Sequence, residues 1–282
     1  LSSLQIIKSH IFGGEFPLLQ TNPGIGDMLN CYIYASELFD RYKKVKIKVD
    51  YNVLFFYRNQ NQYSEKLHGF TKKLSQIIFQ DNRFELVDDC LPTGCICTQD
   101  YPFLLDVEFK PKDLSFILNN TNYTPIKNNY IVLNTKIREY DRSLNDKNIK
   151  YLIEHLNNYN GKIVLMGDRI VDHSRNIEYR SYQNLVYSIY EQIINQLDKN
   201  KVIDLTENFL MHEPNIEKFL KEYNLVKRAN SVIQIGFSGS YLLSMALNTN
   251  TKVVCHNDNF IWMAKMYLSE QNILKTYKEL LT

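Results

Sequence analysis

The feature that most constrains this chain is a regular exchange between two hydrophobic periods. Short apolar or alternating runs are each followed by a longer segment with apolar residues at helical spacing. "FPLLQTN" reads as a strand ending at the turn "PGIGD", and "MLNCYIYASELFDRY" then places Leu29, Ile33, Ser36 and Leu38–Phe39 on a helix. "KVKIKV" alternates as a half-buried strand does. "NVLFFYR", "RFELVD" and "FLLDVEF" are further strand candidates, and "HGFTKKLSQIIFQ" is a helix. After a polar, loop-rich stretch near residue 125 a second series begins. Its strands are "YIVLNTK", "KIVLMGDR", "KVIDLT", "SVIQIGF" and "TKVVCHN". Helices "DKNIKYLIEHLNNYN", "NLVYSIYEQIINQL", "NIEKFLKEYNLVKRA" and "SGSYLLSMALN" lie between them. The closing "FIWMAKMYLSEQNILKTYKELL" reads as helical throughout. Such alternation predicts parallel sheets covered by helices. The expected architecture is α/β: two Rossmann-like domains facing across a cleft, residues 1–125 and 126–282, with the C-terminal helix returning to the first.

Composition narrows the function classes. The 282 residues carry 33 Lys plus Arg against 31 Asp plus Glu, a net charge of +2, so nothing favours non-specific nucleic-acid binding. Apolar residues at 44% and charged residues at 23% fit a globular chain. No apolar run is long enough to span a bilayer. Five Cys, an odd number, do not suggest a disulfide framework; Cys90, Cys95 and Cys97 cluster without the second ligand pair that a structural zinc site needs. A cytoplasmic or membrane-peripheral location is the expectation.

Three stretches carry candidate chemistry. The first is Thr21–Asp27, where Gly24 and Gly26 allow a tight turn and Asp27 stands at a helix start. Asn30 replaces the third glycine of a dinucleotide fingerprint, so that reading fails. The bland role for Asp27 is to complement the helix dipole. The second is Ile235–Ser240, in which Ser238, Gly239 and Ser240 lead from a strand into a helix, as a phosphate-holding turn does; an ordinary N-cap fits equally well. The third is Leu133–Arg138, whose Lys136 and Arg138 fall on one side of an extended segment and suit a diphosphate, although solvated cations are the commoner case. Arg169, closing the next strand, is expected beside them. His173 in "DRIVDHSR" is more simply a solvated loop histidine. There is no Asp-x-Asp, G-x-S-x-G or H-E-x-x-H.

Together these stretches resemble the GT-B-fold glycosyltransferases, most closely the lipopolysaccharide heptosyltransferase-like family. Gly26-Asp27 matches that family's Gly-Asp at the start of the first helix. Ser238, Gly239, Ala246 and Thr249 fit its second-domain pattern, while Phe237, Leu242, Asn248 and Asn250 stand where the family has Asp, His, Gly and Pro. The resemblance implies a metal-independent, inverting transfer of a sugar from a nucleotide-sugar co-substrate to a glycan or other hydroxyl acceptor. No cofactor or metal is expected. Lys136, Arg138, Arg169 and Ser238–Ser240 would bind the donor, and Asp27 would be the general base. Two other functions stand as alternatives, the first of which would need several cleft carboxylates and His residues that the sequence does not place. One is a nucleotide-sugar 2-epimerase of the same architecture; the other is a catalytically silent nucleotide- or sugar-binding module.

Overall fold

The computed structural model describes residues 3–51, 61–91, 100–119, 121, 126–127, 129–134, 148–171, 191–209, 215–234, 240–254 and 261–282. Every strand pair among the described residues is parallel. The chain divides into two units, Leu1–Lys112 and Asp113–Thr282. This division falls ahead of the boundary expected near 125.

In the first unit, β1 (Leu18–Thr21), β2 (Val45–Val49) and β3 (Phe84–Leu86) form a sheet in chain order. Strand β2 alternates buried Val45, Ile47 and Val49 with partly exposed lysines, as its period-2 pattern demands. Helices α1 (Ser3–Ile11), α2 (Ile25–Ser36), α3 (Asn61–Ile78) and α4 (Tyr101–Leu105) accompany the sheet. Helix α1 adds an element to the sequence reading. The strand expected at "FLLDVEF" is corrected, because residues 101–105 are helical. Pro102 sits in the first turn, Tyr101, Leu104 and Leu105 are buried at helical spacing, and Asp106 ends the helix with φ 53°. A 3-10 turn, Glu37–Asp40, follows α2. The largely buried Glu37 carboxylate there binds Lys110 Nζ at 2.7 Å and also Lys112 Nζ, pinning the end of the unit's chain. Burial alone would raise the Glu37 pKa, but the two hydrogen-bonded ammonium groups bring it below the ordinary carboxylate value. The strand candidate "NVLFFYR" lies in 52–58, outside the described residues.

The second unit is built on six parallel strands: β4 (Tyr130–Asn134), β5 (Lys162–Met166), β7 (Val202–Asp204), β9 (Ser231–Gln234), β10 (Thr251–Val254) and β11 (Ile273–Leu274). Their spatial order is β11-β10-β9-β4-β5-β7. Residues Ile131, Leu133, Ile163, Leu165 and Ile233 bury one face against Ile149, Leu152, Ile153 and Leu156 of α5 (Ile149–Asn158). The helical residues 191–196 (α6) add Ile193 to this core. Helices α7 (Ile216–Arg228) and α8 (Ser240–Leu247) follow, and α9 (Ile261–Tyr267) precedes β11. Asn215 caps α7, its Oδ1 accepting from the Glu217 and Lys218 amides at 2.9 and 3.1 Å.

Two expectations for this unit are corrected. "KIVLMGDR" is not one strand. Gly167, at φ 121°, breaks it, and β6 (Asp168–Val171) pairs with β8 (Glu207–Phe209) in a separate two-stranded sheet. Nor is the C-terminal segment a continuous helix. Helix α9 stops at Tyr267, a 3-10 turn spans Glu270–Asn272, β11 joins the second sheet, and a last 3-10 turn covers Tyr277–Leu281. The breaks have local causes. Asn272 Nδ2 donates to Thr249 O at 3.0 Å, and Thr276 and Glu279 form a reciprocal capping box. Tyr277 and Leu280 then pack into the second unit's own core.

Candidate functional site

The order of the six-stranded sheet fixes where a ligand belongs. Strand β4 comes first in the chain; β5 and β7 extend the sheet to one side, and β9, β10 and β11 extend it to the other. The direction of winding therefore reverses between β4 and β9. Open parallel sheets bind ligands outside the carboxyl ends of the strands at such a switch point. Asn134 and Gln234 end these two strands and are register partners, both fully buried. Ser244 Oγ, on α8, donates to Gln234 Oε1 at 3.2 Å.

The segment leaving β4 carries Lys136 and Arg138, and the segment leaving β9 carries Ser238 and Gly239 before α8 opens at Ser240. Two of the three stretches singled out in the sequence thus follow the two strands of the switch point. Lys136, Arg138, Ser238 and Gly239 themselves lie outside the described residues, as do His173, Cys95 and Cys97. Arg169, expected to close the strand after β4, belongs instead to the separate strand β6.

The departures from the expected second-domain pattern have structural reasons where the structure describes them. Leu242 is buried in α8, in the unit's interior. Asn248 Nδ2 donates to Val226 O and Ala229 O, both at 2.8 Å, so it closes the C-terminal end of α7. Asn248 Oδ1 accepts from the Asn250 amide at 2.9 Å, and Asn250 Nδ2 donates to Asn230 O at 3.2 Å. Two asparagines in place of Gly and Pro therefore tie α7, α8 and the entry to β10 together.

In the first unit, β1 ends at buried Thr21 and α2 begins immediately after Gly24, its N-cap residue. Asp27 stands in the first turn, and its carboxylate folds back over the cap. A Cβ at position 24 would lie 2.9 Å from Asp27 Oδ2, so a side chain there would displace it. Asn30 Nδ2 donates to Gly26 O at 3.0 Å, filling with a side chain the space a third glycine would leave open. The residue that sequence reasoning missed is Cys31, one turn below Asp27. Burial pushes its thiol up to about 12; a hydrogen bond with Tyr101 opposes the shift and the Asp27 charge adds to it. Tyr101 is driven well above its ordinary value by burial and by Cys31. Both groups are neutral near pH 7, so they form a polar but uncharged floor beneath Asp27. The i, i+4 spacing of Asp27 and Cys31 was the available signal. Asn134 and Gln234 were also missed, although each is a polar residue that follows buried apolar residues at the end of its strand.

No protein-family model and no curated protein matches the chain. Among solved structures it is similar to the dodecameric, iron-containing heptosyltransferase TibC, crystallised in complex with ADP-D-β-D-heptose. The TM-score is 0.49 and the identity 13% over 85% of this chain and 58% of that one. The chain thus spans little more than half the length of that protein.

Proposed function

We propose that this protein is a metal-independent glycosyltransferase whose second unit binds a nucleotide-sugar. The observation that carries the reading is the switch point between β4 and β9. The segments that leave these two adjacent strands hold Lys136 and Arg138 on one side and Ser238–Ser240 on the other. Cations and backbone N–H groups are what a diphosphate leaving group requires where its charge develops. Arg169 is a further donor ligand in this proposal.

Asp27 serves as the general base. It takes the proton of an acceptor hydroxyl as that oxygen attacks the anomeric carbon. The bond from that carbon to the diphosphate oxygen breaks, nucleoside diphosphate leaves with the electron pair, and the configuration inverts. Gly24 and Gly26 keep the approach to the carboxylate free of side chains.

Incubation with a panel of nucleotide sugars and glycan acceptors tests the reading. A transferase releases nucleoside diphosphate and extends the acceptor. Conversion of the sugar while still nucleotide-linked would identify an epimerase instead, and binding without turnover a silent module.

A further inference from the structure

Two carboxamides stand side by side in the outermost row of the second sheet. Asn134 and Gln234 are register partners on the strands flanking the switch point, and neither has exposed surface. Register partners in a parallel sheet share a face, and Leu133 and Ile233 one position earlier pack on the opposite, α5 side. The carboxamides therefore belong to the face that carries α8, which Gln234 engages directly. Its Oε1 accepts the Ser244 hydroxyl at 3.2 Å, a contact buried from solvent.

Ser244 is held from the other side as well. Its carbonyl accepts from the Asn248 amide at 3.0 Å, and Thr251 Oγ1, at the start of β10 beside β9, donates to Asn248 O at 2.6 Å with Ser244 O a second acceptor at 3.2 Å. The buried apolar residues of α8, Leu242, Leu243 and Met245, supply burial without direction. Hydrogen bonds do have direction, so the Ser244–Gln234 bond to β9, with the Thr251 ties from β10 to the carbonyls of Asn248 and Ser244, sets the height and rotation of α8.

We infer that Gln234 is a positioning residue of the donor site: through Ser244 it aims the opening turn of α8, at Ser240, toward the switch point. The inference rests on the donor-site reading above. A role confined to stability is its competitor, and the two differ in what a variant does to ligand affinity.

The test is calorimetric titration of UDP, ADP, GDP and CDP into the wild-type protein and into Gln234→Leu, Ser244→Ala and the double variant, with melting curves for each. Ser244→Ala is the mild variant, and the double variant removes both polar partners so that neither remains buried alone. The expected result is an approximately tenfold weaker affinity for the preferred diphosphate in each folded variant. In the double variant that loss persists, no larger than in the singles, although its melting temperature recovers relative to Gln234→Leu. Affinities within twofold of wild type in Ser244→Ala and the double variant would overturn the positioning role while leaving the donor site intact. Wild-type protein that binds none of the four diphosphates would overturn the donor reading and this inference with it.

Discussion

At the scale of single residues, the account turns on Asp27. Replacement by Asn keeps its shape and its place in the first turn of α2 but removes basicity. Transfer should fall about a hundred- to ten-thousand-fold, while the melting temperature moves only by the equivalent of about 0.3–1 kcal/mol. Turnover near the wild-type level would return Asp27 to the dipole role. Gly24 provides a second, independent check. Its φ of −65° suits alanine, so conformation does not demand glycine there, but an added methyl group would sit 2.9 Å from Asp27 Oδ2 and would move the carboxylate. Gly24→Ala should therefore leave stability within about 0.5 kcal/mol of wild type by chemical denaturation, because the carboxylate is the end of a flexible side chain that can swing aside, while transfer falls as that carboxylate is displaced. Unchanged transfer in Gly24→Ala would show that the position of the carboxylate does not matter to the reaction. The turn and its aspartate are legible in the sequence because glycines and a helix-start carboxylate are local signals. The neutral floor of Cys31 and Tyr101 is not, because it joins residues distant in the chain.

At the scale of elements, strands and long amphipathic helices are legible wherever the hydrophobic period is sustained, as in β2 and α5. Sequence and structure part where tertiary contacts overrule local pattern. Residues 101–105 mimic a strand because "FLLDVEF" is apolar at either period, and only the buried positions distinguish a helix. The closing segment mimics one long helix, but its helical spacing is interrupted by a polar tie from Asn272 to Thr249 O and by the Thr276–Glu279 capping box. That segment makes a pH-dependent contact. His155 of α5 is half-buried with its side chain hydrogen-bonded to the Leu280 backbone. Burial first and the Lys252 charge second lower its pKa below 6.5, against the opposing effect of that hydrogen bond. The folded state thus favours the neutral imidazole, and the unfolded chain binds the proton more readily. This contribution to stability is present above the unfolded pKa near 6.5 and is lost as pH falls through the lower folded value. The melting temperature should decline from about pH 7.5 to about pH 5.5, and His155→Gln should flatten that decline. An unchanged slope in the variant would assign the pH dependence to other groups.

At the scale of the whole molecule, parallel α/β architecture in two units is legible because regular strand–helix alternation permits little else. Strand order is not, since alternation says which elements exist and not which lie side by side. The order found in the second unit is what gives the donor reading its weight: it makes neighbours of two strands separated by most of the unit's sequence and puts their last residues, Asn134 and Gln234, in register at the switch point. The measurement that tests this most directly is the affinity of the intact protein for nucleoside diphosphates, compared with Lys136→Ala and Arg138→Ala. One diphosphate should bind the wild type, and each variant should weaken it roughly ten- to a hundred-fold, about 1.5–3 kcal/mol per charge-assisted contact, with an unchanged melting temperature. Wild-type affinity retained in both variants would contradict a donor site at the β4–β9 switch point.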